Sequence, residues 1–255
     1  MGFTLKVLGC DGGLGPGSRM SSYLVGGRLL IDAGHLACAG LSGVESLLLT
    51  HAHLDHVLHL PFFLTSRWTQ GRATLEVAAE ADALVRVREG LMGDQVYPDH
   101  GMVDRGPLGP VARYRELAGT APCRVAGYEV VPARLVHPLP CLAYGIRDGR
   151  GAGAIVGGDT SDSAGVWELA REPWVKVVTV EVSFPDAERA LALKAGHLTP
   201  GMLAEQMEAC PPRKGVRVLV VHVKPEARGQ VRAELAERLG NRVELARAGM
   251  VVEVA

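Results

Sequence analysis

The chain has 255 residues with 27 basic and 28 acidic side chains, so its formal net charge is −1 and no global field is available to gather polyanions. Hydrophobic residues make up 47%, the proportion of an ordinary folded chain, and no apolar run is long enough to span a bilayer. Five cysteines (Cys10, Cys38, Cys123, Cys141 and Cys210) at irregular spacing argue against a disulfide framework or a cysteine zinc knuckle, and imply reduced thiols in the cytoplasm.

Nothing reads as a linker, so residues 1–255 are expected to form one domain. The start lacks a basic region followed by a long apolar one, which gives no secretory signal. Gly2 invites a myristoylation reading, but the alternation that begins at Phe3 favours a buried strand. That strand ends in Gly9-Cys10-Asp11-Gly12-Gly13, and a hairpin follows around Gly26-Gly27. The glycine-rich loop lacks the Lys-Ser/Thr ending of a nucleotide cradle and is expected to be a flexible rim. Ile31-Asp32-Ala33-Gly34 then places a carboxylate in an apolar setting, where a turn aspartate is the plain alternative.

The apolar run Ser46-Leu47-Leu48-Leu49 leads into Thr50-His51-Ala52-His53-Leu54-Asp55-His56. Three imidazoles and a carboxylate at the end of a buried strand are costly to desolvate unless something binds them. Histidine nitrogen and carboxylate oxygen suit divalent ions. The alternation of His51 and His53 points both to one side of an extended loop, while Asp55 and His56 turn toward a second position, a spacing better fitted to two adjacent ions than to one. The competing reading is a polar helix start capped by Asp55. Helical spacing follows over 58–68, with His59 reading as a surface or satisfied core residue. A strand over 74–77, a helix over 80–91 and the turn-rich segment 93–101 come next. Asp99 and His100 in that segment could touch a ligand, against the plainer reading of a surface loop.

A strand leading from Tyr128 ends at His137-Pro138, where a lone histidine before proline is ordinarily a turn residue. Ala154-Ile155-Val156-Gly157-Gly158-Asp159 is an apolar strand, two glycines that permit close backbone approach, and a carboxylate. Asp162 reads as a helix cap. Another buried strand ends in Glu181-Val182-Ser183-Phe184, Gly196-His197-Leu198-Thr199-Pro200 precedes a helix, and Arg217-Val218-Leu219-Val220-Val221 delivers His222-Val223-Lys224-Pro225. Strand ends that converge on one edge are how an open sheet builds a site. The remaining helix around 227–239 and the strand over 250–254 read as structural.

The stretch His51-Ala52-His53-Leu54-Asp55-His56 resembles the signature of the metallo-β-lactamase superfamily. The resemblance implies an α/β fold, the four-layer αββα sandwich of that superfamily, with a dinuclear metal site at one edge. It implies His51, His53 and His137 on one ion, Asp55, His56 and His222 on the other, Asp159 bridging both, and Asp32 supporting the metal loop. Zinc is the first choice for so nitrogen-rich a set, with manganese or iron as alternatives. The implied chemistry is hydrolysis by water activated between two ions roughly 3.5–4 Å apart.

Within the superfamily, the segments holding Glu181, His197 and His222-Val223-Lys224-Pro225 resemble class II cyclic-nucleotide phosphodiesterases, over nearly the whole chain. This implies a cyclic nucleotide, cAMP or cGMP, opened at its 3′ ester to a 5′-nucleotide. Asp55, Glu181 and His197 would act in catalysis, with His197 protonating the leaving 3′ alkoxide and Glu181 holding its other ring nitrogen. Gln95-Val96-Tyr97-Pro98-Asp99 matches that family's mid-chain motif only loosely, which leaves the nucleobase open. The rival is a tRNA 3′-processing endonuclease, which shares the ligands and the Glu–His pairing; residues 71–132 lack the dense cationic run such an enzyme uses to grip tRNA. A third reading, a non-catalytic metal-binding scaffold, is opposed by the complete ligand set and the spare His197. A homodimer is compatible with the resemblance, but no exposed apolar stripe speaks for one.

Overall fold

The computed structural model describes residues 2–36, 40–94 and 96–255. The first half supplies β1 (Phe3–Gly9), β2 (Ser22–Val25), β3 (Leu29–Ile31), β4 (Ser46–Leu48), α1 (Leu54–Val57), α2 (Leu60–Thr69), β5 (Leu75–Ala79), α3 (Ala81–Val85) and β6 (Ala112–Glu116). The second supplies β7 (Cys123–Val125), β8 (Tyr128–Leu135), β9 (Cys141–Arg147), β10 (Gly153–Val156), α4 (Ala164–Leu169), β11 (Val175–Glu181), α5 (Arg189–Ala195), α6 (Pro200–Ala209), β12 (Arg217–Val221), α7 (Arg228–Leu239), β13 (Glu244–Leu245) and β14 (Val251–Val254). They form two seven-stranded sheets, ordered β14-β1-β2-β3-β4-β5-β6 and β13-β12-β11-β10-β9-β8-β7.

Strand alternation builds the layers. Leu29 and Ile31 face the second sheet, where Val156 and Leu219 meet them, while Leu30 points outward to α2. In the second sheet Ala154 and Val156 face inward, and Ile155 packs outward with Trp167 of α4 and Leu203 of α6. Three apolar seams thus separate four layers, the αββα sandwich. Central strands β3, β4 and β10 are covered on both faces, which is why they read as unbroken apolar runs. β3 to β6 pair in parallel, as do β10 to β13, so their carboxyl ends gather at common edges.

Two helices differ from expectation. The helical spacing over 58–68 is split, because His59 N–H donates to Ala33 O and Pro61 opens a new first turn. The helix expected over 80–91 is α3 followed by a π-helical turn, Arg86–Leu91. The buried Val87 and Met92 are five residues apart, and Met92 N–H donates to Val87 O, a spacing that stacks them on one face. The four described cysteines are all free thiols; Cys38 lies outside the described residues. Among the described residues no helix is long and apolar enough to cross a membrane.

Candidate metal centre

Six of the nine histidines, His51, His53, His56, His137, His197 and His222, meet at one end of the sandwich. The loop after β4 is held by both sheets. Leu49 O accepts from the Tyr144 hydroxyl at 2.6 Å, and Thr50 O accepts from Leu142 N–H at 3.1 Å. Thr50 in turn donates its N–H and its hydroxyl to Asp32, both at 2.8 Å. Asp32 and His222 both have left-handed backbone, at φ of 56° and 61°, a strain that persists only where the surroundings over-determine it and that gathers at functional sites.

Potential ligand atoms fall into two groups. His51, His53, His137 and Asp159 form one, with His53 Nδ1 lying 3.1 Å from His51 Nε2 and 3.0 Å from His137 Nε2. Asp55, His56 and His222 form the other, where His222 Nε2 is 3.2 Å from His56 Nε2 and 3.0 Å from Asp55 Oδ2. The Asp159 carboxylate stands between them. Its Oδ1 is 3.4 Å from His56 Nε2, and its Oδ2 is 3.6 Å from His51 Nε2 and 3.4 Å from His222 Nε2.

The donor chemistry fits divalent ions. Zinc–nitrogen bonds of about 2.0–2.1 Å set tetrahedral donors roughly 3.3 Å apart, close to the separations here. The opposite nitrogens are tethered, which sets the tautomer: His56 Nδ1 to Asp32 at 2.7 Å, His222 Nδ1 to the Ser183 hydroxyl at 2.9 Å, and His137 Nδ1 to Gly196 O at 2.9 Å. His51 Nδ1 lies 3.1 Å from the Thr50 hydroxyl and 3.6 Å from Cys141 Sγ.

Electrostatics divide the two groups. Burial above all, with neighbouring imidazoles adding to it, holds His51, His53 and His137 below the ordinary histidine pKa, so their lone pairs are free at neutral pH. For His56, burial is outweighed by Asp159 and Asp32, and its pKa is raised. The Asp55 and Asp159 carboxyls, although buried, are held well below the usual range by the imidazoles around them.

Glu181 and His197 lie beside this cluster. His197 Nδ1 is 2.7 Å from Glu181 Oε1, and a ring nitrogen of His197 comes within ligand range of Asp159 and His222. Against the lowering effect of burial, Glu181 raises the imidazole pKa. Ser183 joins the pair to the cluster, donating to Glu181 Oε2 at 2.9 Å and lying 3.3 Å from His197 Nδ1. Thr50, Ser183 and Cys141 have no role in the sequence reading. The first two adjoin ligand-bearing motifs, which is the available signal; Cys141 carries none.

The remaining candidates lie apart from the cluster. His59 Nδ1 accepts from Leu36 N–H at 3.0 Å. Asp99 accepts from the Tyr114 hydroxyl of β6 and from Gly101 N–H, each at 3.0 Å, and His100 packs 4.9 Å from Trp68 of α2, so both fix the loop to the fold. Gln95 of that segment lies outside the described residues. Asp162 is not the expected cap: Ser163 occupies the N-cap of α4, and Asp162, one residue earlier, accepts from Ala164 N–H at 2.9 Å. The glycine-rich rim is tied down instead of free: Asp11 pairs with Arg228 and accepts from Arg19 N–H at 2.7 Å, and Cys10 O accepts from His222 N–H at 2.7 Å.

Histidines and carboxylates gathered at one end of an αββα sandwich define the class of a metallo-hydrolase. Residues 24–223 match the family model described as the beta-lactamase superfamily domain, and the chain belongs to that family. An uncharacterised protein of Mycobacterium tuberculosis is 28% identical over 234 residues, covering 87% of this chain and 81% of that protein. A ribonuclease Z of Bradyrhizobium is 27% identical, covering 68% and 73% respectively. Unliganded yeast PDE1 superposes with a TM-score of 0.82 at 18% identity over 99% of each chain, a likeness of fold.

Proposed function

We propose that the chain is a dinuclear metal-dependent phosphodiesterase that hydrolyses 3′,5′-cyclic nucleotides to 5′-nucleotides. His51, His53 and His137 would hold one ion, Asp55, His56 and His222 the other, and Asp159 both. Zinc is the preferred ion for this nitrogen-rich set, and manganese or iron are the alternatives. The chemistry that divalent ions supply there is Lewis acidity toward phosphoryl oxygens and a water pKa lowered to about 7.

One observation carries the phosphodiester reading: the Glu181–His197 pair beside, and in addition to, a full donor set. With Nδ1 committed to Glu181, Nε2 is left to protonate a leaving alkoxide, and Glu181 favours the protonated ring that this requires. Ser183 fixes the carboxylate's other oxygen.

The likeness to ribonuclease Z favours tRNA 3′ processing as a second reading. Against it, four arginines in and beside the mid-chain are engaged internally. Arg86 pairs with Asp82, Arg115 with Glu76 and Arg134 with Glu80, while Arg105 donates to Arg72 O and Pro110 O. Cations committed in this way supply few phosphate contacts.

The test offers purified, metal-loaded protein cAMP, cGMP, bis(p-nitrophenyl) phosphate and precursor tRNA side by side. Cyclic-nucleotide turnover faster than tRNA cleavage is the expected result. His197→Ala should keep metal and fold, lose on the order of 10²–10³-fold in cAMP turnover, and lose much less on the p-nitrophenyl ester, whose leaving group needs no acid. Specific cutting of precursor tRNA without cyclic-nucleotide turnover would reverse the ranking.

A further inference from the structure

The rim of the cluster holds a cation that no carboxylate among the described residues answers. Lys224 stands two residues after His222, and its backbone N–H donates to Ser183 O at 3.3 Å, so the segment that delivers a cluster histidine also fixes the base of the lysine. The side chain is half-buried. Its Nζ donates to Gly12 O at 3.4 Å and lies 5.0 Å from the centre of the Phe184 ring. Phe184 is 5.7 Å from the His197 ring, which stacks 5.5 Å from His222. Lysine, phenylalanine and the two histidines therefore form one continuous wall that ends at the cluster.

Among the described residues, no carboxylate oxygen comes within salt-bridge distance of Nζ. Three surface arginines are placed differently: Arg28, Arg189 and Arg217 each pair with a glutamate. A long hydrogen bond to a carbonyl and the face of one ring offset only part of the cost of drawing an ammonium out of water. The arrangement keeps the charge available, on a stem with four rotatable bonds that can trade Gly12 O for a stronger acceptor. An anion seated against the cluster is that acceptor, and a phosphodiester or a phosphate monoester supplies it.

We propose that Lys224 is a phosphate-binding residue, recognising non-bridging phosphoryl oxygens of the substrate and of its product. The identity of the substrate rests on the phosphodiesterase reading, whereas the anion site itself does not. The competing role is structural, with Lys224 merely pinning the rim at Gly12.

The experiment titrates inorganic phosphate by calorimetry into metal-loaded wild type, Lys224→Gln and Lys224→Arg, with metal content and melting temperature measured for each, and then compares cAMP kinetics. Loss of a charge-assisted hydrogen bond should weaken phosphate binding roughly 10- to 100-fold in Lys224→Gln, with a rise in KM exceeding the fall in kcat, and Lys224→Arg should restore most of it. An unchanged phosphate dissociation constant in Lys224→Gln overturns the proposal, as does wild type that binds no phosphate, or a Gln variant whose only losses are metal or melting temperature. Phosphate binding that depends on Lys224 in a protein that turns over no phosphodiester would keep the anion site and remove the phosphodiesterase reading.

Discussion

Asp32→Asn exchanges one buried oxygen for an amide nitrogen, and its effect follows from three hydrogen bonds. Oδ1 accepts from Thr50 N–H at 2.8 Å, while Oδ2 accepts from the Thr50 hydroxyl at 2.8 Å and faces His56 Nδ1 at 2.7 Å. Asparagine keeps the volume and tolerates the φ of 56°, so the backbone contributes little. If its oxygen keeps Thr50 N–H, its NH2 turns toward His56 Nδ1. That nitrogen must then accept, and the imidazole proton moves to Nε2, the atom that faces Asp159 and His222. Metal affinity at the group of Asp55, His56 and His222 should fall about 10- to 100-fold, or about 1.4–2.7 kcal/mol. The mismatched buried hydrogen bonds should destabilise the metal-free fold by about 1–3 kcal/mol, several degrees in Tm. Zinc titration against a competing chelator, with equivalents counted, is the assay. The variant is expected to keep one high-affinity equivalent and weaken the other. Unchanged affinity and stoichiometry would refute the tautomer argument.

Zinc binding should also separate by pH. Burial keeps His51, His53 and His137 unprotonated below the ordinary histidine pKa, so their group holds its ion into mildly acidic solution; His56, raised by Asp159 and Asp32 despite burial, carries a proton that an ion must displace. As pH falls, the His56 group should weaken first, with proton release measurable by calorimetry in buffers of different ionisation enthalpy, and simultaneous loss of both ions would contradict this. Gly12→Ala should disturb the same group, because its Cβ would sit 2.8 Å from His222 Nδ1 and clash with that residue's carbonyl. Lower metal content with about 1–3 kcal/mol of destabilisation is expected. Intact metal binding and full turnover would mean that the rim yields instead of the histidine.

Much of this architecture was legible in the sequence. His51, His53, Asp55 and His56 lie within six residues, so local geometry alone brings them together. Asp159 and His222 each follow an apolar run, and because β10 and β12 lie in the parallel part of the sheet, residues just beyond their carboxyl ends meet; His137 follows β8, which pairs antiparallel and carries Glu129 and Arg134 but points the same way. The apolar runs of β3, β4 and β10 likewise betray strands covered on both faces. Edge strands were harder to see: β6 carries Arg113, Arg115 and Glu116, and its strand state rests on pairing with β5. Only the tertiary structure decided which nitrogen of each imidazole faces the cluster, that Ser183 joins Glu181 to His222 across 39 residues, that the rim is pressed onto His222, and that Lys224 lies along Phe184 without a carboxylate. The physical reason is range and scale. Strand alternation and apolar runs are local and repeat over many residues, whereas a tautomer or an unanswered charge depends on one partner placed to within a few tenths of an ångström by distant chain, and it leaves no period in the sequence.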